Sequence, residues 1–382
     1  MVVRNELVQR EWKKRALGAV FTLDIAHKKN ARILRYEHFL QPANRLLGFH
    51  TVWNGYLFFG RNRVSGVRVA IKFYYWGGDK TLHVEPQALS EIRSPNVIEI
   101  YDAGYADISY AYFVTPYYDA GDADEYLKRN VGNLAALDLT CQLLNGLTHL
   151  HQQRLLHRDL KPENIYIKDD GVAVIGDFGS IKKIPEGNSA VPGSKHSMLY
   201  RPPESIDSNQ YGFTGDVYQT GVFLYQALGG FLPYEEIAWL TVSELKHYEG
   251  LHSPGDQTMF ADQCLRTKIS KGRILDYASL PAWVPENLKR IIRKACHTDP
   301  ESRFSTASEF RLKLHDARRN VADWKVIDAV PTCNVGGRSF RLITSPQGSI
   351  VEKRVGGNWR RANNFVGESD QELCRAIDAS QG

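Results

Sequence analysis

The stretch that decides the fold covers residues 157 to 164 and reads His157-Arg158-Asp159-Leu160-Lys161-Pro162-Glu163-Asn164. Thirteen positions after Asn164 comes a second short cluster, Asp177-Phe178-Gly179. Taken alone, an aspartate or a lysine is most often a solvated surface group. The evidence for a functional site therefore lies in the order and spacing of several chemically active side chains. Surface residues that only contact water would not need this order or spacing.

Further motifs flank these two clusters. They are Val69-Ala70-Ile71-Lys72 upstream and, downstream, Tyr200-Arg201-Pro202-Pro203-Glu204, Asp216-Val217-Tyr218 with Gly221, and Asp299-Pro300 with Arg303. In this order the set resembles the motifs of eukaryotic-type Ser/Thr protein kinases over roughly residues 46 to 318, and Lys161-Pro162-Glu163 is similar to the Ser/Thr-specific form. The resemblance implies a bilobal protein-kinase fold and an enzyme that transfers the γ-phosphate of ATP, with Mg²⁺ or Mn²⁺, to Ser/Thr hydroxyls of a protein substrate, itself included.

The resemblance also assigns roles to individual residues. Phosphoryl transfer leaves the protein mainly the tasks of positioning two reactants and neutralising phosphate charge. Lys72 is expected to hold the α and β phosphates, and Asn164 and Asp177 to bind the metal ion. Asp159 is expected to accept or orient the proton of the substrate hydroxyl, while Lys161 reaches the γ-phosphate. All these side chains are expected to meet in one cleft.

Lys72 needs an acidic partner, and the resemblance points to Glu85. Pro86 follows at once, and proline is tolerated only in the first turn of a helix, so Glu85 is expected at a helix start. Glu91 is the less well-spaced substitute.

The adenine side of the nucleotide is expected at Thr115-Pro116-Tyr117-Tyr118, where Thr115 occupies the gatekeeper position and backbone groups contact the base. Asp122 is expected to touch the ribose, and Val52, Gly55 and Ala70 to complete the nucleotide-binding residues. Packing at a strand end is an equally good interpretation of Tyr117 and Tyr118.

The loop that covers the phosphates departs from the family pattern. The three expected glycines fall near His50, Val52 and Gly55, and only the last is glycine. Glycine matters there because backbone amides approach the phosphates without a Cβ in the way. This departure keeps a pseudokinase-type scaffold as an alternative, and a small-molecule kinase is a third hypothesis.

An activation segment is expected between Gly179 and Tyr200. Ser189 and Ser194 are its candidates for regulatory phosphorylation, with Arg158 as the cation that would pair with a phosphate. The competing hypothesis is that Arg158 makes only local hydrogen bonds and the segment is ordered without phosphate. Ser197 is expected to be architectural. Glu204 and Arg303 are expected to form a buried ion pair.

Hydrophobic periodicity predicts an α+β fold with a β-rich front half and a helical back half. Strand-like runs at 56–59 and 67–73 flank a turn-rich segment and predict a β-hairpin. After Leu134 the pattern becomes helical. One helix face is predicted from Leu143, Leu144, Leu147, Leu150 and His151, and another from Leu288, Ile291, Ile292 and Ala295.

Charge helps to divide the 382 residues, whose net charge is +5. Residues 1–45 carry ten Lys or Arg against four Asp or Glu and predict a basic helical extension. The catalytic domain is expected at 46–320, with its N-lobe at 46–115 and its C-lobe at 119–320. Residues 321–382 predict a small β-rich module with strands at 339–344 and 349–355 and a helix at 370–379.

Several classes of partner and location can be weighed from the same pattern. No stretch approaches the ~20 apolar residues of a membrane span, and residues 1–10 lack the apolar segment of a secretory leader, so a cytoplasmic protein is expected. Six Lys or Arg at 338–361 are explained more simply by solvated strand faces than by nucleic acid, which is not an expected partner. Residues 248–267 are predicted to be a polar inserted loop, which could contact a substrate or partner or could be an unstructured surface excursion. Residues 321–382 could also contact a protein partner.

Overall fold

The computed structural model describes residues 44–52, 55–75, 92–106, 108–129, 131–193, 197–345, 348–367 and 369–380. The chain divides into two compact units, Met1–Asp119 and Ala120–Gly382. Residues 1–43, Glu85, Glu91 and Ser194 lie outside the described residues, and so do the predictions made for them.

The first unit contains a five-stranded antiparallel sheet in the order β1-β2-β3-β5-β4. Its strands are β1 (Asn44–Val52), β2 (Gly55–Asn62), β3 (Arg68–Tyr75), β4 (Asp102–Tyr105) and β5 (Tyr110–Pro116). The predicted hairpin is confirmed as β2 and β3, joined by a turn in which the Asn62 side chain accepts hydrogen bonds from the backbone of Val64 and Ser65. Gly66 closes this turn at φ 70°, a conformation that glycine adopts without a Cβ penalty.

The second unit is mainly helical, which confirms the predicted α+β fold. Its helices are α1 (Ala123–Leu127), α2 (Asn133–Gln152), α3 (Pro203–Asp207), α4 (Phe213–Ala227), α5 (Val242–Gly250), α6 (Pro254–Ser270), α7 (Glu286–Ala295), α8 (Ala307–Arg318) and α9 (Asp370–Ala379). The apolar positions predicted for two helix faces are buried on α2 and α7. Only His151 of that set is partly exposed.

Three short strand pairs hold the loops that carry the predicted site. They are β6 (Leu155–Leu156) with β9 (Lys182–Lys183), β7 (Ile165–Ile167) with β8 (Ala173–Ile175), and β10 (Val191–Pro192) with β11 (Gln210–Tyr211). Residues 157–164 thus connect β6 to β7, and each of these two strands pairs with a different partner, β9 and β8 respectively. Two short 3₁₀ turns, Pro162–Asn164 and Phe178–Ser180, complete this region.

Residues 248–267 are mostly helical rather than an irregular surface loop, and this corrects the alternative of an unstructured excursion. Ser253 caps α6 by accepting from the backbone of Gly255 and Asp256, and Pro254 occupies the first helical position. These are ordinary helix-start signals. The role of this region as a partner contact stays a prediction.

The C-terminal residues form one helix and a five-stranded antiparallel meander, in which each strand pairs with the next one along the chain. Its strands are β12 (Lys325–Ile327), β13 (Val330–Val335), β14 (Arg338–Ser345), β15 (Gly348–Val355) and β16 (Asn358–Arg361). In its core, Trp324, Phe340 and Leu342 belong to one buried cluster with Leu373, Cys374 and Ile377 of α9. The predicted strands and helix agree with β14, β15 and α9.

This C-terminal module is joined to the start of helix α2. The Asn133 backbone donates to Trp324 O at 3.0 Å, and the Leu134 backbone donates to the Asp323 carboxylate at 3.1 Å. Gly132, the residue before the helix, provides no side-chain cap, and a Cβ there would collide with Asp323. A carboxylate 189 positions away therefore caps the 20-residue helix that leads towards residues 157–164, the predicted catalytic loop.

Replacing Asp323 by alanine should lower the free energy of unfolding by about 1 kcal/mol, the usual value for a lost helix cap. The measurement is thermal or urea unfolding of the full chain, with Asp316→Ala, an exposed residue on α8, as the control. Equal stability of Asp323→Ala and wild type would show that the contact does not cap α2.

Among the described residues, no helix combines the length and the apolar character needed to cross a bilayer.

Candidate active site

The loop from His157 to Asn164 is held by a buried aspartate on helix α4. The Asp216 carboxylate accepts from the backbone N–H of His157 at 3.0 Å and of Arg158 at 2.9 Å, and from the Tyr211 hydroxyl at 2.8 Å. Its Oδ2 also lies 2.9 Å from His151 Nε2. Burial alone would raise the pKa of Asp216, but the hydrogen bond from His151 and the other donors hold it below its usual value.

Two further contacts fix the loop on either side of Asp159. The Leu160 backbone donates to the Gln219 side chain at 2.8 Å. The His157 ring lies 2.9 Å from the Gly176 carbonyl and packs on Phe178, with ring centroids 5.1 Å apart. The loop is therefore tied both to α4 and to the segment that carries Asp177. Sequence reasoning noticed Asp216 as part of a motif but gave it no role, and it missed Gln219.

Asp159 carries the most informative unsatisfied atom of the site. Its side chain is buried, and Oδ2 accepts a hydrogen bond from Asn164 Nδ2 at 3.0 Å. Its Oδ1 is also buried and has no hydrogen-bond partner among the described residues, whereas buried polar atoms are normally paired. A hydroxyl donor from outside the chain would satisfy it. Glu163 has a comparable buried Oε2, and burial raises the pKa of this carboxyl.

Asn164 and Asp177 provide oxygen atoms suited to a magnesium ion. Nδ2 of Asn164 donates to two oxygens of Asp159, the backbone carbonyl at 2.7 Å and Oδ2 at 3.0 Å. The Oδ1 atom of Asn164 therefore remains to act as a metal ligand. The Asn164 carbonyl accepts from Gly176 N at 2.9 Å, which joins Asn164 to the residue before Asp177. Asp177 itself adopts φ 47°, a left-handed conformation that is uncommon for residues other than glycine.

This donor set fits Mg²⁺ that arrives with a nucleotide rather than a metal held by the chain alone. In the part of the chain that the structure describes, no group of three or more His, Cys, Asp or Glu side chains is arranged to hold a metal. Mg²⁺ commonly binds one or two protein oxygens together with substrate phosphates and water. One amide oxygen and one carboxylate meet that requirement.

Lys72 lies on strand β3 in the first unit, with Leu57 of β2 and Phe113 of β5 as its cross-strand neighbours. Its Nζ is 5.8 Å from the centre of the Phe113 ring. Because side chains two residues apart on a strand share a face, Ala70 lies on the same face as Lys72. Ala70 faces Thr115 across the β3-β5 pair, and Thr115 is buried with its hydroxyl 3.5 Å from the Ala70 carbonyl.

The segment after Thr115 is used mainly for internal packing. The Tyr117 backbone donates to Arg68 O at 3.2 Å, the Arg68 guanidinium stacks 4.2 Å from the Tyr117 ring centre, and Phe59 lies edge-on at 5.2 Å. These contacts favour the strand-end interpretation for the side chain of Tyr117. Contact of Tyr117 with a nucleotide stays a prediction.

The remaining predicted residues have local structural roles. Asp122, in the second unit, caps α1 by accepting from Glu125 N at 3.0 Å, and burial raises the pKa of its carboxyl. Lys161 precedes the 3₁₀ turn and is partly exposed. Gly55 pairs with Val52 at the end of the β1-β2 hairpin. Contacts of Asp122, Val52 and Gly55 with a nucleotide stay predictions.

The predicted ion pair between Glu204 and Arg303 is confirmed. Arg303 forms two parallel hydrogen bonds with the Glu204 carboxylate, at 2.8 and 2.7 Å, and its side chain is fully buried. The same guanidinium donates to the carbonyls of His297, Thr214 and Thr298. The pair links the residues after the activation segment to the turn that precedes α8.

Comparison with known proteins agrees with this arrangement. The protein kinase domain family matches residues 54–313, and the chain therefore belongs to the protein kinase family. Similar relatives include the serine/threonine-protein kinase PrkC of Bacillus subtilis, 29% identical over 244 residues, which are 61% of this chain and 33% of that protein. The serine/threonine-protein kinase atg1 of Dictyostelium discoideum is 32% identical over 248 residues, which are 63% of this chain and 33% of that protein. The match thus spans about a third of the length of either relative.

Proposed function

We propose that the chain is an ATP-dependent serine/threonine protein kinase that phosphorylates proteins, itself included. The observation that carries the proposal is the buried Oδ1 of Asp159, which has no partner in the part of the chain that the structure describes and lies beside the Asn164 amide. An acceptor hydroxyl is the donor that this atom lacks. Relatives that are named serine/threonine kinases support the same acceptor chemistry.

The proposed mechanism uses the residues of the chain as follows. Asp159 binds the acceptor hydroxyl through Oδ1, orients it and takes up its proton. Asn164 and Asp177 would hold Mg²⁺, which would offset the negative charge of the nucleotide phosphates when bound. Lys72 supplies a compact cation for the α and β phosphates, and Lys161 supplies one for the γ-phosphate.

The scaffold alternative is less well supported. It was motivated by His50 and Val52 in the loop that covers the phosphates, while the residues proposed for chemistry are all present. The small-molecule kinase differs from the main proposal only in its acceptor.

The proposal is tested by incubating the purified chain with Mg²⁺ and γ-labelled ATP, alone, with a mixture of generic protein substrates, and with small hydroxyl compounds. We expect label on Ser or Thr of protein, identified by phosphosite mapping, and its loss when Mg²⁺ is chelated. Label confined to the small compounds would favour the small-molecule kinase, and no label anywhere would favour the scaffold.

A further inference from the structure

Two arginines, four residues apart, adopt the left-handed backbone conformation just before and within the catalytic loop. Arg154 has φ 59° and Arg158 has φ 66°. This conformation is unfavourable for a residue with a Cβ, and glycine or asparagine usually occupies it. Strained positions persist where the surrounding structure fixes them, and they concentrate at functional sites. The groups that the two guanidinium groups bind therefore indicate what function these strained positions serve.

Arg154 binds one short stretch of the activation segment, defined here as residues 180–199. Its guanidinium donates to the carbonyls of Ile184 at 3.1 Å, Pro185 at 2.8 Å and Asn188 at 2.9 Å. Its own carbonyl accepts from Ile184 N at 2.8 Å. The planar fork of an arginine suits such multiple contacts, which a lysine could not reproduce.

Arg158 binds the same segment at two other points. Its guanidinium donates to the carbonyls of Ser180 and Pro192, each at 2.7 Å. After Pro192, the backbone N–H of Gly193 donates to two oxygens of Asn209, the backbone carbonyl and the side-chain Oδ1, each at 3.1 Å. The pairing of β10 with β11 adds a further attachment.

These contacts of Arg154 and Arg158 fix residues 180–193 of the segment through neutral backbone acceptors. Two of the five N–H donors of Arg158, the cation expected from the sequence to pair with a phosphate, bind carbonyls of the segment. A phosphate on the exposed Ser189 would have to share the Arg158 guanidinium with these two carbonyls.

We propose that Arg154 is a positioning residue that, together with Arg158, holds residues 180–193 of the activation segment ready for substrate without a phosphate on them. The inference rests on the proposed kinase function and deepens it. It favours the second of the two sequence hypotheses, in which the segment is ordered by local hydrogen bonds. Arg154 then carries a role that no kinase motif of the sequence assigned to it.

The test compares Arg154→Gly with wild type after phosphatase treatment and a mass check for absence of phosphate. Glycine removes the guanidinium and fits the positive φ, so the global melting temperature should not fall. Amide exchange at 182–193 should accelerate about 10- to 100-fold, since three hydrogen bonds from a charged donor are lost. The KM for a protein substrate should rise about tenfold while the KM for ATP changes less than about threefold.

Two variants serve as controls. Ala329→Gly makes a similar backbone change at φ 62° in the turn between β12 and β13, and it should leave exchange at 182–193 unchanged. Arg154→Lys keeps the charge without the fork, and it should give an intermediate exchange rate.

Unchanged exchange and unchanged substrate KM in Arg154→Gly would overturn the positioning role. A fall of more than about tenfold in wild-type activity on phosphatase treatment, or in Ser189→Ala, would show that the segment needs phosphate. If wild type transfers no phosphate but Arg154→Gly still accelerates exchange at 182–193, the kinase proposal fails while the anchoring by Arg154 stands.

Discussion

Replacing Asp159 by asparagine is expected to lower kcat for phosphate transfer by about 10²- to 10⁴-fold, the usual contribution of a positioned general base. The asparagine has the same shape, and its carbonyl oxygen can still accept the hydrogen bond from Asn164 Nδ2. Local geometry should thus survive while the carboxylate that takes up the proton is lost. The measurement is the steady-state rate of label transfer to a protein substrate at saturating Mg·ATP.

The matched control for this prediction is Asp169→Asn, an exposed aspartate in the turn that follows β7. Its rate should stay within about twofold of wild type, as expected for a surface substitution. The KM for ATP of Asp159→Asn should also change little, because the proposed nucleotide contacts involve other residues. A variant with nearly wild-type kcat would remove Asp159 from the mechanism.

The second large effect is expected on stability, from breaking the buried ion pair of Glu204 and Arg303. Removing one partner of such a pair typically costs about 3–5 kcal/mol because the other charge stays buried and unpaired. In Arg303→Met, three backbone carbonyls lose a donor as well. For a unit of this size, the melting temperature should fall by roughly 6–20 °C.

A double-mutant cycle measures this coupling directly. Glu204→Gln combined with Arg303→Met should cost clearly less than the sum of the two single changes, because the double variant leaves no unpaired charge. The pair of Arg293 and Glu286 is the control, since both side chains are about 40% exposed, and Glu286→Gln should cost less than about 1 kcal/mol. Additive single effects at Glu204 and Arg303 would contradict the coupling.

Much of the fold was predictable because its signals are local. The β2-β3 hairpin follows from two strand-like runs that flank a turn-rich segment, and α2 and α7 follow from apolar residues at helical spacing. The ion pair of Glu204 and Arg303 was predictable for another reason, since both residues belong to motifs of the family. The helix start at Ser253-Pro254 was also present in the sequence, but the polar composition of residues 248–267 favoured a loop.

What could not be predicted depends on contacts between distant parts of the chain. Asp323 caps α2 from 189 positions away, and nothing near Asp323 in the sequence indicates this partner. Asp216 binds the backbone of the catalytic loop from 58 positions away. The contacts of Arg154 reach 30 to 34 positions ahead. The sequence could suggest that Asp159 is catalytic, but only three-dimensional packing shows that one of its oxygens is buried with no partner within the described ranges.

The most direct test of the kinase proposal is phosphosite mapping of the purified chain after incubation with Mg·ATP and a protein substrate, beside Asp159→Asn under the same conditions. The account predicts phosphoserine or phosphothreonine in the wild-type reaction and at most a hundredth as much in the variant. Equal phosphorylation in both reactions, or none in either despite bound Mg·ATP, would contradict it.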